Sequence, residues 1–359
     1  MLVLALAVFG CTPLASSWSD EQSFPVREAT NPSEIPPDPD GLRVLTWNLK
    51  FGGGRIDFFF DGWDDRVHMS EDEVQANLYG LLDLIEEVQP DLLLAQEVDI
   101  GSKRSAYVDQ VDVLLEGYDG FNYAAWVPVW VSQYVPEEGL GRVEMGQAVF
   151  SRYPIERNIR VDLPQSEAQS LVVNYFYMHR AIQVVRLHLG EAGSLNVVNN
   201  HPDAYALDGT KEIHLQMILE EARRLPSPVV VGGDLNVVPP GSLQLSDFED
   251  QPEIEGLGVS EVSYTQEETR KLTPLYEDYQ AVVPLEAYQV DTLEEQRAFF
   301  THSISAEVFW TQKLDYLFTD QTWAWGATLQ APGDGDPPLV SDPMMLSDHA
   351  PMVGDLVLP

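Results

Sequence analysis

"VVVGGDLNVVPP", residues 229–240, is the stretch on which the fold turns. Val229, Val230 and Val231 make a β-branched run of core-strand type, bounded by Gly232 and Gly233 and then by Pro239 and Pro240. On a chain of period two, Asp234 and Asn236 share a face. Asp, Asn and Pro also build turns, so the stretch alone reads equally as a strand stopped by a turn. Its neighbours separate the two readings.

Upstream, "LRVLTWNLKFGGG" opens at Leu42 as an apolar strand that runs through Asn48 into glycines. "SEDEVQANLYGLLDLIEEVQP" follows with a capping box, Ser70 with Glu73, and Val74, Leu78, Leu81, Leu82, Ile85 and Val88 at helical spacing. Pro90 ends that helix. "DLLLAQEVD" is then a buried strand ending in Gln96 and Glu97, and "SLNVVNNHPD" a strand ending in Asn200 and His201. A second helix is expected over about residues 209–225, just before Val229. After some 70 acidic, weakly periodic residues (241–310) that show no chemistry, "KLDYLFT" carries Asp315, and "MMLSDHAPMVGDLVL" places Asp348 and His349 ahead of a final strand. Many strands with two long helices predict two packed sheets covered by helices. Each polar group has an ordinary structural reading by itself; several at the ends of neighbouring core strands converge on one rim, where a rigid scaffold places chemistry.

Composition bounds the function. The chain has 359 residues, 44% of them apolar, so it can bury a large core. Against 20 Lys and Arg stand 58 Asp and Glu, a formal charge of -38. That field repels polyanions, and no basic run offers a local exception, so duplex nucleic acid is disfavoured as a partner. The single cysteine excludes an internal disulfide and a cysteine-based zinc site. It closes "MLVLALAVFGC", an apolar run of signal-peptide length that resembles a bacterial lipoprotein signal with Cys11 as the lipidated residue. The expected organisation is a signal over residues 1–10, a Pro- and Ser-rich acidic linker over 11–40, and one catalytic domain over 41–359. The expected location is periplasmic or cell-surface, anchored to the membrane at Cys11; a soluble secreted protein is the alternative.

Taken in order, "TWNLK", "LLLAQEV", "AVFSRYPI", "NNHPDA", "GGDLN", "LDYLF" and "SDHAP" resemble the endonuclease/exonuclease/phosphatase superfamily along nearly the whole stretch from Leu42 to Leu358. The resemblance implies an α+β four-layer sandwich, two mixed β-sheets packed face to face and flanked by helices. It implies Glu97 as chief metal ligand with Asn48 and Asp348, Asp234 and Asn236 positioning water and phosphate, and His349 as base or phosphate donor oriented by Asp315. His201 falls at the place of a second catalytic histidine, and Arg180 is expected to contact phosphate. The cofactor implied is Mg²⁺, with Mn²⁺ as substitute, which suits carboxylate and amide ligands.

The expected function is hydrolysis of a phosphodiester or phosphomonoester, small or lipid-like, by water attack in an exported monomer. A secreted or surface nuclease is the alternative. A catalytically silent interaction module ranks last, because every expected site position is filled. The insert "RIDFFFDGWDDRVHM", with Phe58, Phe59, Phe60 and Trp63, and "WVPVW", residues 126–130, are expected to form an apolar lip over the site or to pack together in a loop.

Overall fold

The computed structural model describes residues 15–37, 39–59, 61, 65–206, 208–250 and 263–359. Cys11 and its apolar run, Phe60 and Trp63 lie outside the described residues. The strands are β1 (Glu21–Ser23), β2 (Val26–Glu28), β3 (Gly41–Asn48), β4 (Leu92–Asp99), β5 (Tyr123–Val135), β6 (Gly141–Ser151), β7 (Ile155–Asp162), β8 (Ala181–His188), β9 (Ser194–Asn200), β10 (Val229–Asp234), β11 (Gln280–Ala281), β12 (Asp315–Thr319), β13 (Thr322–Thr328) and β14 (Met352–Val357). The helices used below are α1 (Glu71–Val88), α2 (Gln110–Gly117), α3 (Leu171–Phe176) and α4 (Thr210–Arg224).

The strands form two mixed seven-stranded sheets, ordered β1-β7-β8-β9-β10-β12-β11 and β13-β14-β3-β4-β6-β5-β2. Alternation along each strand explains how they stack. On β3, Leu45 and Trp47 join the core under α1 and α2, while Leu42 and Val44 join the core shared by the two sheets. On β10, Val230 faces that shared core and Val229 and Val231 face α4. The result is the expected four layers: helices, sheet, sheet, helix. α1 begins at Ser70 with the predicted capping box and buries Val74, Leu78, Leu81, Leu82, Ile85 and Val88, as their spacing requires.

Between the sheets runs a ladder of buried amides. Gln96 Nε2 donates to Asn199 Oδ1 at 2.7 Å, Asn199 Nδ2 to Gln183 Oε1 at 3.1 Å, and Gln183 Nε2 to Asn158 Oδ1 at 3.1 Å. Buried polar groups are tolerated only when so paired, and the pairing fixes one register of sheet on sheet.

The linker expectation is corrected for residues 15–37. β1 pairs antiparallel with β7 and β2 with β5, so this segment closes one edge of each sheet. Arg27 Nη1 also reaches Asp109 Oδ2 at 2.8 Å and Asp112 Oδ1 at 2.6 Å, and Ser33 N donates to Asn122 Oδ1 at 2.6 Å. Three-residue strands held by backbone bonds on an edge need no apolar periodicity, which is why composition hides them. Deleting residues 1–40 is expected to lower the urea midpoint and to promote aggregation, since both edges then lie bare. Unchanged melting and light scattering would show that the segment contributes no stability.

Candidate active site

Parity along the strands builds the rim. Past the inward-facing Leu42 and Val44 of β3, the next inward positions are Thr46 and Asn48; past Leu195 and Val197 of β9 they are Asn199 and His201; past Val230 of β10 they are Gly232 and Asp234. β3 runs parallel to β4 across α1, and β9 parallel to β10 across α4, so the ends of all four strands belong to one edge of the sandwich. β12 and β14 run antiparallel to β10 and β3, which brings their beginnings, with Asp315 and His349, to that same edge.

Glu97 does not follow by parity. Leu93 and Ala95 of β4 face α1, so strict alternation would send Glu97 there too. Instead the pairing of β4 with β6 slips between Ala95 and Val98, and Glu97 takes a left-handed φ of 55°. This bulge turns the carboxylate into the site. Glu97 Oε1 lies 3.2 Å from Asn48 Nδ2 and 3.8 Å from His201 Nε2.

The centre is a chain of acids and imidazoles. Asp234 and Asp315 stand directly opposite in the β10–β12 ladder, an arrangement of like charges that repels unless a cation intervenes. His349 supplies it: Nδ1 lies 2.8 Å from Asp315 Oδ2 and Nε2 3.6 Å from Asp234 Oδ2. Burial disfavours the charged ring, yet the carboxylates of Asp315 and Asp234 outweigh it and hold His349 well above the ordinary imidazole range. Burial pushes Asp234 above the usual carboxylate range, against the opposing pull of His349. Burial also keeps His201 neutral, aided by Arg180 and His349. Its Nε2 lies 3.4 Å from Asp234 Oδ2. Asn236, also left-handed at φ 52°, donates its backbone N–H to Asp234 Oδ1 at 2.9 Å and its amide to Pro202 O at 3.1 Å. The opening stretch is therefore a strand and a turn together, and the turn fixes one carboxylate oxygen while leaving the other to the site.

Not every expected residue sits as anticipated. Arg180 is buried behind His201, with Nη1 3.5 Å from that residue's carbonyl oxygen. Asp348 faces Lys50, Nζ to Oδ2 3.7 Å. The Asn48 amide nitrogen points at Glu97, Asp234 and His349, while its oxygen accepts from Lys50 N at 3.0 Å. Phe58 is fully buried against Phe51, and Trp126 and Trp130 donate to the carbonyls of Val98 and Phe176. Phe58 and Trp126 thus pack into the core layers, not over the rim.

The family model for the endonuclease/exonuclease/phosphatase family matches residues 45–349. The chain belongs to this family. Solved structures of endonuclease/exonuclease/phosphatase proteins share its fold: one from Beutenbergia cavernae DSM 12333 (18% identity, 89% of this chain and 72% of that one, TM-score 0.53) and one from Bacteroides vulgatus (16%, 89% and 99%, 0.52). A third, from Leptotrichia buccalis C-1013-b, is 14% identical over 88% of this chain and 99% of that one, TM-score 0.51. No curated protein matches the sequence.

Members of the endonuclease/exonuclease/phosphatase family are generally phosphoester hydrolases and typically depend on a divalent metal. The residues here fit such an ion. Hard oxygen donors predominate, and Asp315 Oδ1 is buried without a partner. Asp234, Asp315 and His349 each offer a ligand atom within 4.8 Å of one another. The His349 ring lies between the two carboxylates of that cluster, whereas the Glu97 side chain, 24% exposed against 2% for Asp234, is open to an ion that keeps its waters.

Three buried groups at this rim escaped sequence reasoning. Lys50 and Lys313 lie inside the quoted stretches, where a basic residue two positions from a candidate site residue was the available signal. Lys313 Nζ donates to Asp315 O at 2.8 Å, and burial lowers it to about 7. His302, in the acidic stretch 241–310, packs against His349 with ring centroids 4.6 Å apart and the rings tilted by 58°, and nothing local marks it.

Proposed function

We propose that the protein is an exported, divalent-metal-dependent phosphoesterase that hydrolyses a small or lipid-like phosphodiester by water attack. The observation that carries this reading is the Asp315–His349–Asp234 chain facing Glu97 across the Asn48 amide. A carboxylate raised toward neutrality is matched to accept a proton near physiological pH. In the step proposed, water bonds to phosphorus, its proton passes to Asp234 Oδ2, and the ester oxygen leaves with the bonding pair. His349 donates from Nε2 to a phosphate oxygen, with Asp315 fixing its ring. His201 donates a second hydrogen bond from the facing strand. An ion at Glu97 would neutralise charge on the phosphate and the leaving oxygen. Hydrolysis of bis(p-nitrophenyl) phosphate that requires Mg²⁺ or Mn²⁺ tests the reading, and no turnover with any divalent ion would end it.

The -38 charge favours a small or lipid substrate over DNA. At low ionic strength small diesters are expected to be cut faster than duplex DNA, and modest salt is expected to raise any DNA cleavage by screening repulsion. Efficient DNA cleavage that falls steeply with salt would establish the nuclease reading instead. Location follows from Cys11 at the end of the signal-like run. Two or three acyl chains there exceed the one-chain threshold for stable anchoring, so the protein is expected to take up labelled fatty acid and partition with membranes. Cys11→Ala is expected to abolish both, and an unlabelled, wholly soluble wild type would leave the plain secretory signal.

A further inference from the structure

Lys50 stands two residues beyond Asn48, and only 2% of it is exposed. Its ammonium lies 2.9 Å from Asp61 Oδ2 and 3.7 Å from Asp348 Oδ2. Lys50 and Phe51 both adopt φ 44°, a left-handed turn that non-glycine residues enter only when the surroundings enforce it. Asp61 comes from the insert that follows this turn, and its Oδ2 also accepts from Phe58 N at 3.0 Å, so the partner of Lys50 is held in place by the insert's own backbone. Arg55, from the same insert, is anchored through Nε to Met344 O at 2.5 Å and adds positive potential on the Asp348 side. The Asp348 carboxylate thus already faces a buried ammonium from the turn that follows Asn48. A second cation at this carboxylate would stand beside the fixed ammonium and be repelled by it.

Glu97 is differently placed. Its described polar contacts are an amide N–H at 3.2 Å and, at 3.8 Å, the His201 imidazole. Here the charge is open to an ion, and the exposure leaves room for its waters.

We propose that the Lys50 ammonium, locked by Asp61 of the insert, takes the place of a second metal ion at Asp348, so that the site binds one divalent ion, at Glu97, with Asp348 outside its ligand set. This rests on the metal-dependent reading above and deepens it: a lone ion neutralises the phosphate from the Glu97 side, while a fixed protein cation holds Asp348 and the turn that carries Asn48.

Mn²⁺ binding to the full chain, followed by electron paramagnetic resonance and equilibrium dialysis without substrate, tests the proposal apart from turnover. The wild type is expected to bind one Mn²⁺. Glu97→Gln is expected to weaken that binding by more than about tenfold, and Asp348→Asn to leave its stoichiometry and affinity in place. Lys50→Gln is expected to admit a second Mn²⁺, with spin coupling between the two, whereas Lys50→Arg keeps one. Circular dichroism identifies any variant that fails to fold, and the Asp348→Asn and wild-type titrations decide the matter without the Lys50 variants. Two Mn²⁺ in the wild type, or loss of binding in Asp348→Asn, overturns the proposal while leaving metal-dependent hydrolysis standing. A folded Lys50→Gln chain that still takes one ion overturns the role of the ammonium. No Mn²⁺ bound to the wild type overturns this proposal and the metal-dependent reading together.

Discussion

Replacing His349 with alanine is expected to lower kcat by about 10²–10⁴, the range for a lost acid–base group, in a protein that still folds. The imidazolium is the cation between Asp315 and Asp234, so its removal leaves two buried carboxylates opposite each other, one of which must take up a proton. Asp234 then loses both its partner and its poise as a base. The pH profile carries the same argument with a definite sign. Asp234 must be ionised to accept a proton, and burial raises it above the carboxylate range, so kcat/KM rises as pH increases toward neutrality. His349 must keep its proton, and its two carboxylates raise it, so the fall comes on the alkaline side. Asp315→Asn removes the larger of those two supports and is expected to shift the alkaline limb to lower pH. Steady-state kinetics on bis(p-nitrophenyl) phosphate, with near-ultraviolet circular dichroism to confirm the fold, check all three. A His349→Ala enzyme within tenfold of wild type would remove His349 from the chemistry.

The second large effect belongs to Glu97. Glu97→Gln keeps the size of the side chain but removes the most accessible carboxylate of the rim. Metal assistance is worth several kcal/mol of transition-state stabilisation, so a loss of about 10²–10⁴ in rate is expected, matched in the wild type by excess chelator and reversed there by added Mg²⁺ or Mn²⁺. Full activity in chelator would exclude the metal-assisted mechanism. Restoration of Glu97→Gln to wild-type rate by high metal would place the ion on other ligands, with Asp234 and Asp315 the nearest.

Much of this was legible in the chain because two signals are local. Helical spacing and a capping box marked α1, and short apolar runs bounded by polar residues, Gly or Pro marked β3, β4, β9 and β10. The two-residue period of a strand, continued past the last apolar residue, carries Asn48, His201 and Asp234 inward, so their convergence needed only the orientation of neighbouring strands. Where the period gives no information, reading failed. Residues 21–28 join the sheet edges through backbone ladders and a few distant ion pairs, so their polar composition looked like a linker. Phe58 read equally as part of an apolar lip or as packing within a loop, because three phenylalanines in a row have no period, and it is buried against Phe51. The place of Arg180, with Nη1 3.5 Å from the carbonyl oxygen of His201, likewise depends on β8 packing beside β9.

By itself the sequence determined the family and the layer order and named Glu97, His201, Asp234, Asp315 and His349 as candidates, because alternation and capping are properties of a few consecutive residues. Only the tertiary structure decided what those groups are to one another. The bulge that turns Glu97 away from α1, the opposition of Asp234 to Asp315, the insertion of His349 between them, the tilted contact of His302 with His349, and the burial of Lys50 between Asp61 and Asp348 all join residues distant in sequence. Charge state in a buried site is set by desolvation and by the nearest opposite charge, and both depend on distances that no local pattern contains.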